Sequence, residues 1–534
     1  MRARLSAFLL SILYMLAVAP AQALDPKVVS KLASDDSAAR LEAIDQLAAS
    51  GEEAALTLLQ ALANGEVQVT PDSRVIIVSD QVLDAVTLTP IASAPDEYEA
   101  VILNNRMRAR VDSAIGALSL LSPDRATRLA SAKAVETTQD VSLLPLLERA
   151  IDKETDPLIR RSLEHTRAVL DLRSQDPARR LAAARVLGDS SQARVRTFLL
   201  QLLEKDSSGT YLETDADVRF AAQAALESVE RRLAFSDYFG RIFSGLSLGS
   251  ILLLVALGLA ITYGLLGVIN MAHGEMLMIG AYATYVTQQV FRTHFPGALD
   301  WYVLAAIPTA FFSAALVGMA LERTVIRWLY GRPLETLLAT WGISLFLIQL
   351  VRQIFGAQNV EVANPSWLSG GVEFANVVMP YNRIVIIGFS MLVLILMWLL
   401  LSRTRLGLFI RGVTQNRTMA SCVGVPTGRV DLLAFGLGSG IAGLGGVALS
   451  QIGNVGPDLG QAYIIDSFMV VVLGGVGQLA GTVYAGLGLG VMSKLIEPHI
   501  GAVLTKILIL VLIIAFIQKR PQGLFALKGR AVET

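Results

Sequence analysis

Gly245-Leu-Ser247-Leu-Gly249-Ser-Ile-Leu-Leu-Leu-Val-Ala-Leu-Gly258-Leu-Ala-Ile-Thr-Tyr-Gly264-Leu-Leu266 is a run of 22 residues without one charged side chain. As a helix it would extend about 33 Å, enough to cross a hydrocarbon layer about 30 Å thick. Further mostly apolar segments occupy 276–291, 302–321, 336–355, 384–402, 432–450, 464–478, 481–496 and 501–517. Several are shorter than a full span or interrupted by glycine, which predicts broken helices. Only 28 of the 90 charged residues of the 534-residue chain follow Arg241. The spacing predicts an all-α protein with two unlike parts. A polytopic helical membrane domain of eight to nine spans would occupy 238–534, after a mostly helical, repeat-like domain at 24–237.

Composition excludes several classes. Net charge is zero, against the basic surface that general nucleic-acid binding needs. Cys422 is the single cysteine, which rules out an internal disulfide framework and multi-cysteine metal centres. His165, His273, His294 and His499 lie far apart, and no HExxH pair occurs. No Gly-x-x-x-x-Gly-Lys-Ser/Thr loop occurs, so no nucleotide site is legible. The expectation is no cofactor and no metal.

The chain starts Met-Arg-Ala-Arg, runs apolar from Leu5 to Ala19, and reaches Ala21-Gln22-Ala23. Basic start, short apolar core and small-residue exit predict a signal peptide over 1–23, the alternative being an uncleaved anchor. The segment from residue 24 onward is then exported. Asp36-Ser-Ala-Ala-Arg40, Asp156-Pro-Leu-Ile-Arg160, Asp176-Pro-Ala-Arg179 and Asp217-Val-Arg219 each lead into an Ala/Leu-rich stretch. Asp there can cap the first free N–H groups, and Pro157 and Pro177 suit a first helical position. Recurrence every 20 to 40 residues or so suggests stacked helix pairs, resembling HEAT repeats, against a non-repetitive bundle. Val67–Val69 and Val75–Val78, parted by Thr70-Pro-Asp-Ser73, predict a small β-hairpin.

Arginines set the orientation. Arg323, Arg327 and Arg332, then Arg403, Arg405, Arg411, Arg417 and Arg429, and the tail Lys519, Arg520, Lys528 and Arg530 mark cytoplasmic segments. An exported first domain and nine crossings then leave the C-terminus cytoplasmic.

Gly245-Leu-Ser247-Leu-Gly249 fits a nucleophile-elbow pattern, and Gly438-Ser-Gly440-Ile-Ala-Gly443 a dinucleotide fingerprint. Neither has the strand-turn-helix context its chemistry requires. Six glycines between Gly436 and Gly446 instead favour close helix packing. Gly267-Val-Ile-Asn270-Met-Ala-His273-Gly-Glu275 is a polar break between apolar segments. An ionisable group there must pair, face a cavity or lie at an interface. Asn454-Val-Gly-Pro457-Asp458 is a second break, and Gly474-Gly475-Val-Gly477 a third. Each reads equally as part of a gated pathway or as an ordinary connection. Asn270, His273, Glu275, Asn454, Pro457, Asp458, Gly474, Gly475 and Gly477 are therefore the candidate pathway residues.

The stretch Gly245 to Tyr285, above all Asn270-Met-Ala-His-Gly-Glu275, resembles the LivH-type permeases of branched-chain amino acid ABC importers. Thr404-Arg-Leu-Gly407, Gln415-Asn416, Val423-Gly-Val425, Val472-Leu-Gly-Gly-Val-Gly477 and Arg520-Pro-Gln-Gly-Leu524 are similar to further motifs of that family. Arg411-Gly412 departs from its common Arg-Ala. Glu322-Arg-Thr-Val-Ile-Arg327, Leu338-Ala-Thr-Trp-Gly-Ile343 and the exported helical domain resemble the urea-permease branch. The resemblance implies a permease of the bacterial inner membrane without enzymatic activity of its own. A LivM-type companion permease, two cytoplasmic ABC ATPases and a periplasmic substrate-binding protein would be its partners. Arg405, Gly407, Arg411, Gln415, Asn416, Ala420 and Gly424 would form the ATPase-coupling segment. Transport would proceed by alternating access. Branched-chain amino acids or short amides are the alternative cargo. A receptor with a periplasmic repeat domain is the alternative of another class, and an intramembrane enzyme the weakest.

Overall fold

The computed structural model describes residues 24–34, 36–79, 81–91, 98–137, 141–267, 269–374 and 376–525. The expected signal segment lies outside the described residues. The chain divides into two compact units, Met1–Leu233 and Ala234–Thr534.

The first unit contains α1 (Pro26–Ser30), α2 (Ser37–Ser50), α3 (Glu53–Asn64), α4 (Asn105–Leu118), α5 (Arg125–Thr137), α6 (Leu144–Lys153), α7 (Pro157–Asp171), α8 (Pro177–Leu187), α9 (Ala193–Leu202) and the start of α10 (Ala216–Leu266). Pro157 and Pro177 are first helical residues, and Asp36, Asp156 and Asp176 accept from first-turn N–H groups. The cap of α10 is Asp215, which accepts from Asp217 and Val218 N–H, and not the Asp217 that the sequence suggests. This shift reveals a stricter repeat, Ser/Glu-x-Asp-x-x-x-Arg, at 34–40, 122–128, 154–160, 174–180 and 213–219. In three copies the arginine turns back onto the carbonyls five and six residues earlier. Arg128 also reaches Glu154 of the following copy (2.8 Å), and Arg180 reaches Glu213 (2.7 Å). Both carboxylates accept from backbone N–H groups of their own copy. The second arginine of this ladder is Arg180, one residue beyond the Arg179 that the sequence suggests. Between α3 and α4 lies an antiparallel sheet of β1 (Val67–Val69), β2 (Val75–Val78), β3 (Val82–Asp84) and β4 (Glu99–Ala100), in the order β3-β2-β1-β4. Val67 pairs with Ile77 and Val69 with Val75 across the expected hairpin, which two further short strands widen.

The second unit continues α10 and adds α11 (His273–His294), α12 (Tyr302–Thr324), α13 (Pro333–Phe355), α14 (Tyr381–Arg403), α15 (Arg405–Gln415), α16 (Arg417–Cys422), α17 (Thr427–Ser450), α18 (Leu459–Gly474), α19 (Leu479–Ile500) and α20 (Ala502–Lys519). Each of the nine apolar segments falls on a helix, although 464–478 runs past the end of α18 at Gly474. Seven helices among the described residues are long and apolar enough to cross a membrane. The other two segments are α11, whose first turns carry polar residues, and α18, which has 16 residues. A two-stranded ribbon of β5 (Gly371–Phe374) and β6 (Val377–Pro380), not foreseen, precedes α14.

α17 is the centre. In its most apolar window 83% of residues are buried, against 17% in α20. The glycines that mimic a dinucleotide fingerprint bring backbones together here. A Cβ on Gly443 would fall 2.7 Å from the Ala310 carbonyl oxygen of α12, and one on Gly438 2.7 Å from the Gly258 carbonyl oxygen of α10. Gly446 meets Leu277 and Ala281 of α11 still more closely. Small residues allow helices to approach where lipid supplies no hydrophobic drive for association. Gly245 and Gly249 do the same for α10 against α19, with Ser247 enclosed in the helix contact.

Candidate functional site

α10 ends at Leu266, Gly267 takes a left-handed conformation, and α11 restarts at His273. Asn270 Oδ1 accepts from the Ala272 N–H (3.0 Å), and Thr340 Oγ1 of α13 accepts from the Met271 N–H (3.2 Å). The broken backbone is thus held by side chains, as buried non-helical backbone requires. His273 Nε2 lies 3.1 Å from the Val255 carbonyl oxygen, so that nitrogen carries the proton. Glu275 Oε1 accepts from Ser344 Oγ of α13 (2.8 Å).

Three of these side chains each keep a buried atom without a hydrogen-bond partner: Asn270 Nδ2, His273 Nδ1 and Glu275 Oε2. The residues themselves are 2%, 0% and 1% exposed. Two more such atoms follow along α11, the Tyr282 hydroxyl and Gln288 Oε1. Tyr282 lies two turns beyond Glu275 on the same face and packs against Phe355 of α13, ring centroids 4.6 Å apart and the planes tilted by 32°. Gln288 occupies another face, where its Nε2 donates to the Ala363 carbonyl (2.8 Å). That carbonyl also accepts from the Tyr302 hydroxyl, which meets Gln451. Buried polar groups are nearly always paired, so five spare hydrogen-bonding atoms in one helix and its entry are a concentrated exception. None of the five side chains is Lys or Arg.

The second break is only partly joined to this group. Val455 and Val360 exchange two backbone hydrogen bonds (2.8 and 2.9 Å), pinning 453–457 to the segment after α13. Pro457 is buried, whereas Asn454 is exposed, and Asp458 is exposed and ion-paired to Arg352 (2.6 Å). Gly460 in the first turn of α18 presses on Gly274, and a Cβ there would lie 2.8 Å from Glu275 Oε2. Thus Gly460, which the sequence does not single out, approaches the carboxyl, while Asn454 and Asp458 face outward.

The third break is closed by packing. Gly475 and Gly477 adopt positive φ, 98° and 80°, between α18 and α19. Gly474 abuts Gly481, and Gly477 abuts Gly264. Leu524 N–H donates to the Leu473 carbonyl (2.8 Å), so 520–525 lies over the turn.

α15 and α16 form the basic segment. Thr404 caps α15 at Gly407, and Asn416 caps α16 at Met419 (2.9 Å). Gly407 and Ala420 are buried; Arg405, Arg411, Gln415, Asn416 and Gly424 are exposed. Leu408, Met419 and Val423 are exposed beside them, giving a mixed basic and apolar outer face. Tyr282, Gln288 and Ser344 do not stand out in the sequence because each looks ordinary inside an apolar helix. Their recurrence among aliphatic neighbours is the available signal.

Residues 241–517 match the family described as branched-chain amino acid transport system / permease component. The high-affinity branched-chain amino acid transport system permease protein BraD of Pseudomonas aeruginosa is 30% identical over 294 residues, 54% of this chain and 95% of that protein. Its counterpart LivH of Escherichia coli K12 is 28% identical over 298 residues, 54% of this chain and 96% of that protein. The fructose import permease protein FrcC of Rhizobium meliloti is 28% identical over 271 residues, 48% and 71% of the two chains. Through its second unit, the chain belongs to the branched-chain amino acid transport system permease family.

Proposed function

We propose that this chain is the membrane permease subunit of an ABC importer and that its solute is urea. The observation that carries the solute reading is the set of five buried side chains with spare hydrogen-bonding atoms at and beyond the break before α11. A small neutral solute can exchange hydrogen bonds with such groups. An amino acid would bring a carboxylate, and none of these five residues is a Lys or Arg to receive it. Asn270, His273 and Glu275 would form the gate, with Gly460 and Pro457 behind it. The urea-branch resemblance and the helical first domain, which precedes the family match, point the same way.

In this reading the first domain is periplasmic and the C-terminus cytoplasmic, as the arginine distribution suggests. A periplasmic binding protein delivers solute, and a LivM-type permease completes the pathway. Two ATPases act on the segment containing Arg405, Gly407, Arg411, Gln415, Asn416, Ala420 and Gly424. The names of the relatives favour a second reading, in which the same machine carries branched-chain amino acids. Uptake of labelled urea and labelled leucine at low external concentration, in cells with and without the gene, separates the two. Loss of urea uptake alone supports the first reading; loss of leucine uptake alone replaces it with the second.

A further inference from the structure

The basic segment is fastened to the membrane helices by charge. Asp431, in the second turn of α17, is 0% exposed. Both its carboxylate oxygens accept from Arg417 of α16. The Arg417 guanidinium also lies over the Tyr330 ring, 5.0 Å from its centroid. The Tyr330 hydroxyl donates to Glu322 Oε1 (3.0 Å) near the end of α12, where Glu322 is 1% exposed. One chain of contacts therefore runs from α16 to α17 and, through Tyr330, to α12.

We infer that Arg417, Asp431, Tyr330 and Glu322 form the mechanical linkage that carries movement of the basic segment to the central helix. The inference rests on the permease reading above. A buried carboxylate separated from its arginine would be left as an unpaired charge, so α16 and the start of α17 are held to move together. The bidentate geometry resists rotation as well as separation, which a single contact would not. Beyond Asp431, α17 meets α10, α11 and α12 backbone to backbone at Gly438, Gly443 and Gly446. Packed contacts of this kind shift between discrete arrangements and do not absorb strain smoothly. A displacement entering at Arg417 thus reaches α11, whose first turn carries His273 and Glu275. The four residues are positioning residues: they act through α17 and touch no solute.

The test uses the complete transporter in proteoliposomes, with ATP hydrolysis and labelled urea or leucine uptake measured on the same preparation. Arg417→Lys keeps the charge and loses the bidentate fork and ring stacking. The double variant Arg417→Gln/Asp431→Asn leaves no unpaired charge, so it guards against simple misfolding. Both are expected to assemble and hydrolyse ATP within about twofold of the parent while solute moved per ATP falls at least tenfold. Unchanged solute per ATP, or hydrolysis and uptake falling together with the amount of assembled complex, would overturn the linkage.

A second measurement needs no solute. Nitroxides are placed on Cys422, the single native cysteine, which is exposed, and on L433C of α17. Their separation is expected to stay fixed when ATP binds the parent complex and to broaden in Arg417→Lys. A nucleotide-dependent change of that separation in the parent would overturn the inference. A fixed separation with neither urea nor leucine carried would uphold it and remove the solute reading alone.

Discussion

Ser344 Oγ of α13 donates to Glu275 Oε1 of α11 over 2.8 Å, and the second carboxyl oxygen of Glu275 is buried with no partner. Half of this carboxyl is committed to structure and half remains free. Ser344→Ala strips the committed half, at a cost of about 1–3 kcal/mol for a buried acceptor left unpaired. Uptake should fall at least fivefold. Glu275→Gln, oriented with its carbonyl oxygen toward Ser344, preserves that bond and should fold as the parent. Initial uptake rates against external solute concentration read both, and a parental rate in Ser344→Ala would refute the assignment.

Tyr282→Phe removes one of the five spare hydrogen-bonding atoms while keeping the ring contact with Phe355. If the hydroxyl served only structure, losing an unpaired buried polar group would stabilise the fold or leave it unchanged. If it meets the solute, uptake falls several-fold while thermal stability holds or rises. Opposite movement of the two quantities supports the solute role; an unaltered uptake rate would exclude it.

Gly443→Val should overpack the contact of α17 with α11 and α12. Its first carbon alone would lie 2.7 Å from the Ala310 carbonyl oxygen. Forcing extra carbons into a packed interior costs about 1–3 kcal/mol or more, because backbone has to give way. Gly488→Ala in α19 is the control, since nothing lies within 4 Å of the added carbon. Melting of the purified protein in detergent should drop for the first substitution and barely change for the second.

The first unit should lose stability on acidification in two stages. Burial, with a smaller contribution from Arg194, pushes His165 below its ordinary value of 6.5 against the opposing pull of Glu136. The unfolded chain therefore binds this proton more readily, so the contribution is complete above pH 6.5 and shrinks below it. Burial alone would raise the Glu154 carboxyl, but the Arg128 hydrogen bond and the Asp156 N–H bring it net below 4.5. Its contribution holds above that value and disappears as pH falls through the lower folded one. Hydrogen exchange of the full chain should show α7 loosening first. His165→Gln should flatten the first stage and Glu154→Gln the second; an unaltered profile in either variant would contradict its assignment.

The nine apolar stretches are legible because membrane burial is written locally, as runs without charge. The β-hairpin is legible for a similar reason, from valines and isoleucines around Pro71. Glu275 stands out because a carboxyl beside an apolar span demands an explanation. Its partner Ser344 does not, because 69 residues separate the two and serine is unremarkable in such a helix. Asp431 falls one residue outside the apolar segment read at 432–450 and does not stand out, and its pairing with Arg417 depends on how α16 folds back. The Gly474–Gly477 turn is readable as a break, but its covering by 520–525 comes from the far end of the chain. Composition along the chain encodes which groups must be paired; only the fold names their partners.

The arginine ladder of the first unit bears on how that unit can be lengthened or shortened. Arg128 is satisfied by Glu154, and Arg180 by Glu213, so a serine-type copy and the next glutamate-type copy share one ion pair. Excising any one of these four copies would strand half of a pair in the interior. Insertions and deletions should therefore be tolerated two copies at a time, which makes the doublet the module that recombination can trade.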